Sequence, residues 1–161
     1  MIIASIDIGT NTVLLLIAEV DYSTRRIVPL HDEYQMPRIG YKTKQTGIIS
    51  SDRLILLNHV LNEYSNIINS YKCDKVIITG TNAFRMASNS DYIKKEIKKS
   101  FNYDLHVISG EEEAEYAYLG AISNLHNSEV SMVIDIGGSS TEIIYGEGFN
   151  ILFKNSLQLG S

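Results

Sequence analysis

Aspartate, glycine and small hydroxyl residues recur in one order at two places in this chain, Asp7-Ile8-Gly9-Thr10-Asn11-Thr12 and Asp135-Ile136-Gly137-Gly138-Ser139-Ser140-Thr141-Glu142. In both, an apolar run ends in Asp-Ile-Gly, a turn of small residues follows, and a second run leads back. Glycine lets such a turn take positive φ and lets backbone amides approach a ligand with no side chain in the way. Successive N–H groups then form an anion-binding concavity, to which the Thr and Ser hydroxyls add donors. An aspartate just before the turn would repel a phosphate, so the arrangement makes most sense with a divalent cation between them. One copy alone is better explained as a plain hairpin. Two copies in matching surroundings point to paired phosphate loops, which a duplicated fold would set facing each other across a cleft.

Two other segments carry candidate chemistry. Gly80-Thr81-Asn82-Ala83-Phe84-Arg85 follows a short apolar run, at the strand end where ligands gather in open α/β sheets. Arg85 offers a forked, permanently charged donor set suited to phosphate oxygens, with a surface salt bridge as the competing role. Ser109-Gly110-Glu111-Glu112-Glu113-Ala114 opens a helix. Acidic residues in a first turn complement the helix dipole without any further purpose. Successive helical positions rotate by about 100°, so at most one or two of the glutamates can face one cleft. A glutamate beside bound phosphate could orient and deprotonate a water. Lys94, Lys95, Lys98 and Lys99 read as a solvated helix face, with guidance of a long polyanion as the other use. The four histidines are scattered, and the single cysteine, Cys73, has no metal-spaced partner.

The elements that must position these residues follow from periodicity and turn chemistry. Ile2 to Ile8, Thr12 to Val20 and Arg26 to Gln35 are predicted as an antiparallel meander, with Pro29 marking a bulge or an edge. A polar loop over 37–50 holds Arg38, Gly40, Lys42, Lys44 and Gly47. Leu54, Leu57, Leu61, Tyr64, Ile68 and Tyr71 give the next helix its apolar stripe. A strand at 75–79, a short helix to about Ser88, and a helix with Ile93, Ile97 and Phe101 on one face come next. A strand at 105–108 and a helix from Glu111 to about Leu125 lead to strands at 131–136, 141–145 and 151–155. This order predicts an α/β layered fold.

Composition narrows the class. With 44% hydrophobic and 20% charged residues among 161, the chain is expected to be globular. Its net charge of −5 argues against nonspecific nucleic-acid binding. Asp7 interrupts the first apolar run too early for a signal peptide, and the run from Val13 to Ala18 is too short to span a bilayer. A cytoplasmic protein with no membrane partner is the expectation, and one cysteine suits a reducing compartment.

Taken together, DIGTNT at 7–12, GTNAFRMASN at 80–89, SGEEEAEYAYLG at 109–120 and DIGGSSTE at 135–142 resemble the exopolyphosphatase and guanosine pentaphosphate phosphohydrolase family. That family lies in the superfamily of actin, sugar kinases and acetate kinase, whose other members share the glycine loops but not the two middle segments. The resemblance implies an actin-like (ribonuclease H-like) mixed sheet with flanking helices over residues 1–126, and the beginning of a second such domain over 127–161. It implies hydrolysis of terminal phosphoanhydride bonds of polyphosphate or guanosine pentaphosphate. In that reaction Glu113 would be the general base and Arg85 a clamp on the transferred phosphoryl group. Asp135 and Glu142 would bind Mg²⁺, and Gly9, Thr10, Asn11, Gly137, Gly138, Ser139 and Ser140 would hold phosphates. Family members are longer than this chain and are expected to be homodimers. Ser139 stands where the family usually has a third glycine, which narrows the allowed φ there. An ATP-dependent small-molecule kinase and a noncatalytic phosphate-sensing fragment are the alternatives.

Overall fold

Apolar alternation in the first strands produces one strongly buried sheet face. The computed structural model describes residues 1–24, 26–123 and 129–161. Strands β1 (Ile2–Ile8), β2 (Val13–Asp21) and β3 (Arg26–Gln35) form the expected antiparallel meander. Strand β4 (Lys75–Gly80) adds to β1 in parallel, β5 (Leu105–Val107) adds to β4 likewise, and the sheet order is β3-β2-β1-β4-β5. This mixed sheet with helices packed on it is the expected actin-like arrangement. The register of β2 and β3 slips beside Pro29: Ile17 faces His31 but Ala18 faces Pro29, leaving Leu30 as the extra residue of a bulge. Proline, with no N–H to give the ladder, explains why the slip falls there.

Helices α2 (Ser51–Ser70) and α4 (Ser90–Phe101) cover one face of that sheet. Ala4, Ile6, Ile8, Val13, Leu15 and Ile17 bury there with Leu57, Leu61, Tyr64 and Ile68 of α2 and Ile93 and Ile97 of α4. The predicted stripe is therefore the packed stripe, with Leu54, Tyr71 and Phe101 at its partly buried margin. Two short helices, α1 (Thr43–Thr46) and α3 (Asn82–Met86), lie in the connections.

Helix α5 (Gly110–Ala121) and the antiparallel strands β6 (Val130–Ile136), β7 (Thr141–Glu147) and β8 (Asn150–Leu157) form a smaller unit. Ala114, Tyr118 and Ile122 bury against Ile144 of β7. On the opposite sheet face Met132, Ile134 and Ile136 are 65%, 56% and 68% exposed. The compact units are Met1–Val107 and Ile108–Ser161, so α5 packs with the strands that follow it. The expected division between residues 126 and 127, and the expected helix end near Leu125, lie outside the described residues.

Candidate functional site

Each Asp-Ile-Gly turn sits at the end of a strand and is closed in the same way. Ile8 pairs with Val13 and Ile136 with Thr141, leaving the four-residue loops 9–12 and 137–140. In the first, the Gly9 N–H donates to the Thr12 carbonyl at 2.9 Å. In the second, the Gly137 N–H donates to the Ser140 carbonyl, again at 2.9 Å. The equivalence extends to space. A Cβ at Gly9 would lie 3.1 Å from the Thr12 oxygen, and one at Gly137 would lie 3.2 Å from the Ser140 oxygen.

The reason for glycine differs from the one expected. Gly9 and Gly137 are not among the residues with positive φ, so close approach of the backbone, rather than a left-handed conformation, is what would crowd a side chain there. Ser139 is also outside the left-handed region, so the expected narrowing of φ at that position brings no backbone strain.

In the first unit, the parallel pairing of Ile8 with Gly80 brings the Gly9 turn beside the start of α3. The Thr81 N–H donates to the Ile8 carbonyl at 3.2 Å, and the Thr79 hydroxyl reaches the Asp7 carboxylate at 3.4 Å. The Arg85 N–H donates to the Thr81 carbonyl at 3.2 Å, which seats half-buried Arg85 in the same stretch of chain. Gly80 is required here because its Cβ would come 2.7 Å from the Phe84 ring. The polar loop over 37–50 also closes on this end. The Arg38 N–H donates to the Asn11 carbonyl at 3.0 Å and the Gly40 N–H to the Thr10 carbonyl at 2.9 Å.

In the second unit, α5 runs alongside β7. Tyr118 donates its hydroxyl to the Gly148 carbonyl at 2.8 Å, and Lys154, the register partner of Ile144, meets Glu115 at 3.2 Å. Moving back along the helix therefore moves back along β7, so the first turn of α5 lies at the same end of the unit as the turn 137–140. The three glutamates divide as rotation demands. Glu112 closes a capping box: its carboxylate accepts from the Ser109 N–H at 2.8 Å while Ser109 Oγ accepts from the Glu112 N–H at 3.1 Å. Those hydrogen bonds hold its carboxyl below the usual range. Glu111 is exposed, and Glu113, next to buried Ala114, is half-buried.

Asp135 and Glu142 are register partners across β6 and β7, on the face that carries Ile144 and α5. Asp135 is exposed, whereas Glu142 is 1% exposed and accepts from the Ser156 hydroxyl at 2.7 Å. Among the described residues no group of three or more metal-ligating side chains is gathered. Mg²⁺ commonly takes one or two carboxylates and completes its shell with phosphate oxygens and water, so this pair fits that ion.

The structure thus brings Gly9, Thr10, Asn11 and Arg85 together in one unit, and Glu113, Asp135, Gly137, Gly138, Ser139, Ser140 and Glu142 in the other. Sequence reasoning noted Gly40 only as part of a polar loop and assigned no role to Ser156 or Gly160, whose partners are distant in the chain. Among the described residues no helix is long and apolar enough to cross a membrane.

The sequence model of the Ppx/GppA phosphatase family matches residues 16–161. The chain is 32% identical over 98% of its length to the bifunctional 3-dehydroquinate synthase/phosphatase of Fusobacterium nucleatum, covering 25% of that protein. It is 30% identical over 98% of its length to the guanosine-5'-triphosphate,3'-diphosphate pyrophosphatase of Vibrio atlanticus, covering 31% of it. The crystal structure of an exopolyphosphatase from Cytophaga hutchinsonii superposes with a TM-score of 0.91 at 33% identity, over 99% of this chain and 51% of that one. The chain accordingly spans from a quarter to about half the length of these relatives.

Proposed function

We propose, on the premise that this chain belongs to the Ppx/GppA phosphatase family, that it carries the phosphate-gripping machinery of a phosphohydrolase. The substrates would be inorganic polyphosphate or guanosine pentaphosphate, from which terminal phosphoryl groups pass to water. The observation that carries this reading is the duplicated turn. Two glycine loops, closed by matching 2.9 Å hydrogen bonds, each leave the end of an Asp-Ile strand. Such turns present backbone N–H groups to an anion. The names of the relatives add the substrate class, since one is an exopolyphosphatase and another a guanosine polyphosphate pyrophosphatase.

In this reading the amides and hydroxyls of Gly9, Thr10, Asn11, Gly137, Gly138, Ser139 and Ser140 hold non-transferring phosphates. Arg85 offers its planar fork to the phosphoryl group in transit, whose charge spreads over its equatorial oxygens. Glu113 orients the attacking water and takes its proton, and its half-buried place beside Ala114 limits competing solvent. Asp135 and Glu142 would hold Mg²⁺, which when bound neutralises charge on the phosphates. Little covalent work is left to the protein beyond positioning and charge stabilisation.

The test is twofold. Titration calorimetry of the 161-residue chain with tripolyphosphate and Mg²⁺ should show saturable binding. Phosphate release from polyphosphate and from guanosine pentaphosphate, followed by colorimetry, should identify the substrate. Absence of tripolyphosphate binding would end this reading.

A further inference from the structure

The two turns share one more feature, which lies outside the turns themselves. Each is backed by a second stretch of chain that approaches at a glycine. Behind the first turn run Arg38, Ile39 and Gly40, whose amides occupy the carbonyls of Asn11 at 3.0 Å and Thr10 at 2.9 Å. Behind the second run Leu159, Gly160 and Ser161. The Ser161 N–H donates to the Gly137 carbonyl at 3.1 Å, and the Thr141 hydroxyl ties the Leu159 carbonyl at 2.6 Å. A Cβ at Gly40 would strike the Thr10 methyl and come 3.2 Å from Thr10 Cβ. A Cβ at Gly160 would strike the backbone nitrogen and Cα of Ser139.

We propose that Gly40 and Gly160 are positioning residues that let a bracing segment lie against each turn and so aim the turn's amides at the anion. This rests on reading the turns as phosphate grips. The mechanism follows from peptide planarity: in a trans peptide the C=O and the next N–H point in opposite directions. Fixing the Thr10 carbonyl on Gly40 fixes the Asn11 N–H on the far side. Fixing the Asn11 carbonyl on Arg38 fixes the Thr12 N–H, and fixing the Gly137 carbonyl on Ser161 fixes the Gly138 N–H. The brace takes up the carbonyls of Thr10, Asn11 and Gly137 and leaves the N–H groups that follow them directed away from it. An anion-binding turn needs that polarity. Arg38 adopts φ 50 where its amide meets Asn11, a left-handed conformation that a non-glycine residue keeps only when its surroundings impose it.

The experiment measures tripolyphosphate binding with Mg²⁺ by calorimetry, and folding by circular dichroism, across a small set of variants. Gly120→Ala is the control, because nothing lies within 4 Å of a Cβ there, and it should bind as the wild type does. Gly40→Ala and Gly160→Ala should each bind roughly tenfold more weakly or worse, with an unchanged far-ultraviolet spectrum. Thr10→Ser removes the methyl that the new Cβ at 40 strikes. The double variant Gly40→Ala/Thr10→Ser should therefore recover to within about threefold of Thr10→Ser alone. Gly40→Ala and Gly160→Ala binding as tightly as the wild type would overturn the brace and leave the phosphate reading standing. A wild-type chain that binds no tripolyphosphate would overturn both.

Discussion

Ser156 donates its hydroxyl at 2.7 Å to Oε1 of Glu142, a carboxylate that retains only 1% of its exposure. A buried carboxylate needs donors, and this one sits in the strand that leaves the second glycine turn. Ser156→Ala should cost about 1.5–3 kcal/mol, the range for a hydrogen bond to a charged group, as read from urea unfolding. A loss below a few tenths of a kcal/mol would mean that Glu142 finds its donors elsewhere.

Chemistry and folding should separate at the two acidic positions proposed for water activation and Mg²⁺ binding, Glu113 and Asp135. Glu113→Gln keeps the shape of the side chain and removes its basicity, so phosphate release should fall about 10²–10⁴-fold while tripolyphosphate affinity holds. Asp135→Asn should raise the Mg²⁺ concentration needed for binding with little change in melting temperature, since Asp135 is exposed. Equal loss of stability and Mg²⁺ response would reassign Asp135 to a structural role.

Tyr64 gives a pH-dependent prediction. Its ring is fully buried, its hydroxyl donates to the Val13 carbonyl at 2.9 Å, and burial, reinforced by Glu33 and Glu63, pushes its pKa up to about 12 from 10.0. A folded pKa above the unfolded one stabilises the fold fully below about pH 10 and loses that contribution as pH rises toward 12. Tyr64→Phe should destabilise by about 1–3 kcal/mol at neutral pH, because the Val13 carbonyl loses its donor. The gap from wild type should close across the alkaline window in unfolding measured from pH 8 to 12.

The capping box of α5 has the opposite sign. Glu112 has its carboxyl lowered from 4.5 by the Ser109 hydrogen bonds, so its contribution is present above that value and fades as pH falls below it. Ser109→Ala should cost about 1 kcal/mol, typical of a lost N-cap. It should also flatten the acid limb of stability as pH falls below 4.5, which circular dichroism against pH would reveal.

Lys72 follows the last turn of α2 with φ 52, in the left-handed region where glycine is the usual occupant. Lys72→Gly should stabilise the first unit by up to about 1 kcal/mol, seen as a higher urea midpoint. A destabilised variant would show that the lysine side chain offsets its backbone strain.

Much of this fold was legible because its signals are local. The meander announces itself by apolar runs broken at Gly9 and Asp21, the bulge by Pro29, and the long helix by its spaced leucines and isoleucines. The glutamate run was legible in part, since rotation allows only some of Glu111, Glu112 and Glu113 to face inward, and only Glu112 folds back onto the cap. What the sequence did not display is pairing between distant residues. Gly40 meets Thr10 across 30 positions and Gly160 meets Ser139 across 21, with nothing in either neighbourhood to announce the partner. Of the two roles expected of glycine in the turns, positive φ is absent at Gly9 and Gly137, because identity alone does not separate a residue chosen for φ from one chosen for lack of volume. The packing of α5 on β7 depends on Tyr118 reaching Gly148, a contact that no periodicity encodes.

Strand β6 is one of the two edge strands of its three-stranded sheet, and Met132, Ile134 and Ile136 line its side away from α5. An edge of this kind combines open ladder groups with a greasy flank, and charge is what usually guards such a border. Here the run Val130 to Ile136 carries a single ionisable residue, Asp135, and that residue points to the other side. Concentrated solutions of the chain will therefore be poised to stack β6 on β6, and added salt, by screening the net charge of −5, will favour the stacked form.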